Sequence, residues 1–119
     1  MSASPTDAPA PRLSLQIQTR EDVTIVHCRG KLTFGVTSLL HDEVKRLIPH
    51  AKRIDLDLTD LVQMDSMGLG TVVSLYVSAK AAGCDLRLIN LSKQVRQLLS
   101  VANLLSFFEV YGEHIVKIP

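Results

Sequence analysis

The chain has 119 residues, 46% hydrophobic and 21% charged, with a formal net charge of +1. That is room for one domain with one core, and too little for a substrate cleft between two domains. Interspersed acids and bases argue against a nucleic-acid face, two tyrosines, three phenylalanines and no tryptophan leave no stacking platform for single strands, and no apolar run is long enough to span a membrane.

Residues 1–11 are rich in Pro, Ala and Ser and read as a disordered tail, with one domain over 12–119. The N-terminus has no charged start followed by an apolar core, so no secretory signal is read there. Leu13, Leu15 and Ile17 alternate with polar residues, the period of a half-buried strand. Residues 19–22 suit a turn, and residues 23–28 (VTIVHC) form a second strand, so a hairpin is expected. Arg29-Gly30 closes it, and residues 31–35 are expected to be a loop with an apolar tip, Leu32 and Phe34.

Thr37 or Ser38 can cap a helix to about Ile48, with Leu39, Leu40, Val44, Leu47 and Ile48 at helical spacing and Pro49 at its end. Residues 53–58 (RIDLDL) are a strand with Ile54, Leu56 and Leu58 on one face and Asp55 and Asp57 on the other. A second helix runs to about Ala82, with Gly83 as its C-cap. Residues 85–89 are a strand, Ser92 or Lys93 opens a third helix to about Val101, residues 103–108 connect, and residues 110–117 form a short last strand. Strands alternating with helices imply a mostly parallel sheet with right-handed crossovers, the first hairpin making it mixed. The fold class is α/β, with four to five strands and a single layer of helices.

Most familiar chemistries lack their residues. His27, His41, His50 and His114 are scattered, without metal-ligand spacing. His27 reads as structural, and His41 and His50 as helix-surface residues. Cys28 and Cys84 fall in apolar strands and read as buried free thiols of a reducing, cytoplasmic compartment. Asp55, Asp57 and Asp60 do not oppose one another as a glycosidase pair would, and a solvated or sheet-edge role is expected for them. Gly68-Leu69-Gly70 lacks the Gly-Lys-Ser/Thr ending of a nucleotide loop, and Met64 stands where a hydrolase elbow needs glycine. No enzyme, cofactor or metal is expected.

The informative segment is Met64-Asp65-Ser66-Met67-Gly68-Leu69-Gly70, at a strand-to-helix junction. Asp65 and Ser66 are both competent N-caps, so capping alone is one reading. Yet each glycine costs a helix about 1 kcal/mol relative to alanine. A small hydroxyl, an acid and an exposed Met67 together also suit close approach by another molecule. Phosphate on Ser66 would add about −1.5 to −2 charge at the favourable end of a helix. The fold should then survive, and a partner docked there should be expelled.

This segment, with Leu58-Thr59-Asp60-Leu61-Val62-Gln63 before it and the order of elements, resembles the STAS domains of bacterial anti-sigma factor antagonists. The resemblance covers about Leu13 to Phe108, and Asp65-Ser66-x-Gly68-Leu69-Gly70 is its specific part. It implies that Ser66 is a serine phosphoacceptor. It implies as partner an anti-sigma factor with an ATP-binding serine kinase domain, which the unphosphorylated protein binds and the phosphorylated protein leaves, and a serine phosphatase that reverses the modification. The implied contact surface is Asp65, Met67, Gly68 and Leu69, extending to Gly30, Leu32, Thr33 and Phe34, to Thr71 and Ser74, and to Ser92 and Lys93. A STAS-type scaffold holding a small anion or lipid-like ligand is the alternative. Lys31 stands near where the family often has an acid, Met67 where it often has a small hydroxyl residue, and the family's last amphipathic helix is not evident. An uncovered apolar sheet face would favour a weak homodimer.

Overall fold

The computed structural model describes residues 13–102 and 110–111. The expected tail, the 103–108 connection and most of the expected last strand lie outside the described residues.

The chain runs β1 (Leu13–Arg20), β2 (Val23–Leu32), α1 (Thr37–Leu47), a 3-10 turn (Ile48–His50), β3 (Arg53–Met64), α2 (Ser66–Ala81), β4 (Asp85–Ile89), α3 (Lys93–Val101) and β5 (Val110–Tyr111). The sheet order is β1-β2-β3-β4-β5. Only the β1–β2 hairpin is antiparallel; β2–β3, β3–β4 and β4–β5 are parallel. Glu21 supplies the left-handed residue of the hairpin turn. The fold class is as expected: a mixed, mostly parallel sheet under one layer of helices.

One apolar cluster holds the layers together. Val26, Ile54, Leu56, Leu58 and Leu88 of the sheet, Leu40 and Val44 of α1, Val72 and Leu75 of α2, and Val95 and Leu99 of α3 are essentially inaccessible within it. Burying a side chain of this size stabilises by about 1.5–3 kcal/mol, so these residues dominate the folding energy.

β2 and β3 are both longer than expected. Their pairing slips between His27 and Arg29 and again between Gly30 and Lys31, each time with an extra residue on β3. A bulge resets which face a side chain takes. Leu58 and Leu61 are therefore buried, and Met64 is half-buried, at a spacing of three that a regular strand could not direct to one face. In the same way β2 runs on to Leu32, whose side chain is fully buried, so the apolar loop tip is Phe34 alone.

Several local expectations are corrected. Neither Thr37 nor Ser38 caps α1; Val36 takes the N-cap position without a side-chain hydrogen bond. Leu39 is exposed rather than on the buried face of α1. α3 is capped by Ser92, whose Oγ accepts from Val95 N at 3.2 Å. Gly83, with φ of 77°, follows the Ala82 C-cap of α2, where a left-handed residue ends a helix at least cost.

The face of the sheet away from the helices carries mostly polar side chains among the described residues, with Val23, Ile25 and Ile89 half-buried on it. Asp55 and Asp57 are not solvated or at an edge, since β3 is central. Asp55 is buried and pairs with Arg53 at 3.1 and 3.2 Å. Asp57 accepts from Thr59 Oγ1 at 2.6 Å, Thr59 N at 3.0 Å and Asn90 Nδ2 at 3.3 Å, and bonds His27 Nδ1 at 2.8 Å. Burial raises the Asp57 carboxyl, but the hydrogen bonds from Thr59, Asn90 and His27 outweigh it and hold the group below its ordinary value. His27 is structural, as expected. Cys28 and Cys84 are free and buried. Burial, with the Asp57 charge second, pushes the Cys28 thiol up to about 12.

Candidate functional site

The two long strands end side by side, Leu32 of β2 opposite Met64 of β3, and the chain turns directly into α2. Asp65 is the residue on which the turn is built. Its extended backbone makes it the N-cap, and its Oδ1 accepts from Gly68 N at 2.9 Å. Its Oδ2 accepts from Phe34 N at 2.9 Å, and its own N–H donates to Leu32 O at 3.3 Å. One aspartate thus ties the loop after β2 to the start of α2. The Phe34 and Gly68 amides, with that of Met67, hold the Asp65 carboxyl below its ordinary value.

Ser66 is therefore the first helical residue and not the cap. Its side chain is exposed. Gly68 is the close-packing position: a Cβ there would run into the Leu32 carbonyl oxygen. Leu32, Gly68 and Leu69, expected in the contact surface, are buried in the free chain. Gly30 is half-buried within β2 opposite Leu61, and Thr33 O accepts from Val36 N at 3.1 Å. Met67 (52% exposed) and Phe34 (72% exposed) are the large apolar side chains left in solvent beside Asp65.

Ser66 opens onto a cleft of about 400 Å³ between the N-terminal halves of α1 and α2. Met67, Gly70, Thr71 and Ser74 line it from α2, and Thr37, Ser38 and His41 from α1. Thr71 and Ser74 thus line the same cleft as Ser66. Ser92 and Lys93 do not line the cleft; Ser92 is committed to capping α3.

The α1 side of the cleft was missed in the sequence. Thr37 and Ser38 were read as caps, and His41 as a surface residue. His41 is half-buried, with Nδ1 3.2 Å from Asp42 Oδ1. Only the packing of α1 on α2 brings these residues to Ser66, and no spacing within the chain encodes it.

Chemically, the site offers an accessible primary hydroxyl on a rigid turn, a cleft of hydroxyls and one imidazole, and a small apolar rim. Among the described residues no group of three or more His, Cys, Asp or Glu side chains could hold a metal ion. No helix among them is long and apolar enough to cross a membrane.

Comparison with known proteins agrees with this architecture. The STAS domain family matches residues 14–114. The anti-sigma-B factor antagonist of Bacillus subtilis is 24% identical over 98 residues, covering 82% of this chain and 90% of that protein. The fold resembles unphosphorylated SpoIIAA, an anti-sigma factor antagonist, with a TM-score of 0.72 at 18% identity over 84% of this chain and 88% of that one. It also resembles the phosphorylated form of SpoIIAA from Bacillus, with a TM-score of 0.68 at 17% identity over 84% and 91%.

Proposed function

The chain belongs to the STAS domain family, and we propose that it acts as an anti-sigma factor antagonist switched by phosphorylation of Ser66. The observation that carries this reading is the position of Ser66. It is exposed as the first residue of α2, on a turn that Asp65 already locks from both sides.

The partner is an anti-sigma factor with an ATP-binding serine kinase domain, met in the cytoplasm. It docks on the rim formed by Phe34, Asp65, Ser66 and Met67 and on the Thr71–Ser74 face of α2. In the switching step Ser66 Oγ loses its proton and forms a bond to the γ-phosphorus of ATP. The bond between that phosphorus and the β–γ bridging oxygen breaks, and ADP leaves. A serine phosphatase returns the phosphate to water.

Magnitudes favour a switch in contact rather than in fold. A phosphate at the start of a helix is tolerated, the dipole contributing about 0.3–1 kcal/mol in its favour. The same group buried unpaired under a docked partner costs about 3–5 kcal/mol, or at least a hundredfold in affinity.

The test is incubation with the cognate anti-sigma kinase and ATP. Wild type should gain one phosphate and dissociate, Ser66→Ala should stay unmodified and bound, and Ser66→Asp should bind at least about tenfold more weakly. Phosphate found on the Ser66→Ala protein would sink the assignment. The cleft itself favours one second reading, a STAS-type module for a small anion; a melting temperature raised by a small anion with no partner present would support it.

A further inference from the structure

We propose that the cleft between α1 and α2 is the seat of the phosphate once Ser66 carries it, with protonated His41 as its counter-ion. This rests on the switch reading above and adds the residue that would hold the modified state.

The reason lies in where the charges are. The start of α2 would ordinarily offer its free amides to a phosphate. Here the Asp65 carboxylate already takes Gly68 N, and Met67 N also lowers its carboxyl. The modified side chain therefore adds a second negative group next to a first, at a helix start whose Gly68 amide is already taken. A cation across the cleft would offset that added charge.

His41 is the one titratable side chain among the residues that line it. Thr37 and Ser38 beside it, and Ser74 opposite, supply hydroxyls. Thr71 Oγ1 already donates to Met67 O at 3.0 Å, so its proton is taken. The imidazole is held by Asp42 Oδ1 at Nδ1, so a proton added at Nε2 is the donor left for a phosphate. Asp42 on its own helix is the charged group bonded to His41, and the new phosphate would reach it from the α2 side.

Gly70 supports the same use of the cleft. A Cβ at Gly70 would meet nothing within 4 Å, so packing inside the domain does not account for a glycine there. Its missing side chain leaves the cleft floor open beside Ser66.

The charge states match near neutrality. A phosphoserine loses its second proton near pH 6 and an imidazole its proton near 6.5. A coupled pair therefore shifts apart: the phosphate titrates lower and His41 higher. Below the His41 midpoint the phosphate is drawn into the cleft; above it, that hold is lost.

The experiment uses the full chain with phosphoserine placed at position 66 by genetic encoding, so it needs no kinase and its failure would leave the switch reading standing. Phosphorus NMR follows the phosphate and nitrogen NMR follows His41 between pH 5 and 8. The expected result is a phosphate midpoint lowered, and a His41 midpoint raised, each by about 0.5 unit or more against His41→Gln and against the unphosphorylated protein respectively. Equal phosphate midpoints in wild type and His41→Gln, with both proteins melting alike, would overturn the proposal. So would a His41 midpoint indifferent to phosphorylation.

Discussion

Gly68 and Gly70 sit two positions apart in α2 and serve opposite ends. Gly68 lets the helix start against the β2 terminus, because any side chain would strike the Leu32 carbonyl. Gly70 looks into open space and leaves its helix weaker by about 1 kcal/mol than alanine would. The two alanine variants should therefore part company. Gly68→Ala should lose about 1–3 kcal/mol to overpacking, less the helix gain. Gly70→Ala should gain about 0.5–1 kcal/mol and yet, on the proposed function, bind the partner less well. Urea unfolding and a binding titration on both variants check this; a destabilised Gly70→Ala would show that the open space is needed by the fold. At this scale the sequence was half legible. The Asp65-Ser66 pair was visible, but which of the two caps α2 depends on the Phe34 and Gly68 amides meeting at Asp65. His41 was invisible as a site residue, because its neighbour across the cleft is 25 positions away and on another helix.

At the scale of elements, the outer face of the sheet is crossed by a line of hydrogen bonds. Gln18 of β1 meets His27 Nε2 at 3.2 Å, His27 of β2 meets Asp57 of β3 at 2.8 Å, and Asn90, just past β4, meets Asp57 at 3.3 Å. Asn90 takes a left-handed backbone, which asparagine tolerates better than most residues, and so brings its amide back over the strand. The central Asp57 carboxylate thereby takes bonds from β2 and from the residue after β4, and His27 carries the line on to β1. Asp57→Ala should cost about 2–3 kcal/mol, since it leaves the partner groups of three residues, Thr59, Asn90 and His27, without their acceptor, and Asp57→Asn should cost less. Denaturant unfolding at pH 7 decides it; equal stability of Asp57→Ala and wild type would mean that water replaces the carboxylate freely. The alternating strands and the helix periods were readable in β1, β4 and α3, where the pattern is uninterrupted. It failed in β3 because the bulges opposite Arg29 and Lys31 change the spacing of buried residues from two to three, and in β2 because Arg29-Gly30-Lys31 interrupts an alternation that in fact runs on to Leu32. A polar strand face was likewise read as solvated, because pairing between strands is not written in either strand alone.

For the whole molecule, these two aspartates contribute to the response to acid. Asp65 and Asp57 are both held below the ordinary carboxylate value in the folded chain. A lowered carboxyl binds a proton more readily in the unfolded chain than in the folded one. Its contribution is therefore complete above the unfolded value, near pH 3.9, and is lost as pH falls through the folded value. Stability should be flat from about pH 5 to 7 as far as these groups are concerned, and should fall below about pH 4. Asp57→Asn and Asp65→Asn should each make that acid arm shallower, so the gap from wild type should narrow between pH 7 and pH 3.5. An unchanged gap would assign the acid response to other groups. The thiols give an independent readout of the same opening. Cys28 is 1% exposed with its proton held up to about 12, and burial, with Asp85 second, also raises Cys84. Both should resist a thiol reagent at pH 8 until the core opens. The labelling rate of Cys28 should then follow global stability across the Gly68→Ala, Asp57→Ala and Gly70→Ala series. A rate that ignored Gly70→Ala while urea unfolding registered it would place Cys28 under a local opening of the β1–β2 hairpin instead.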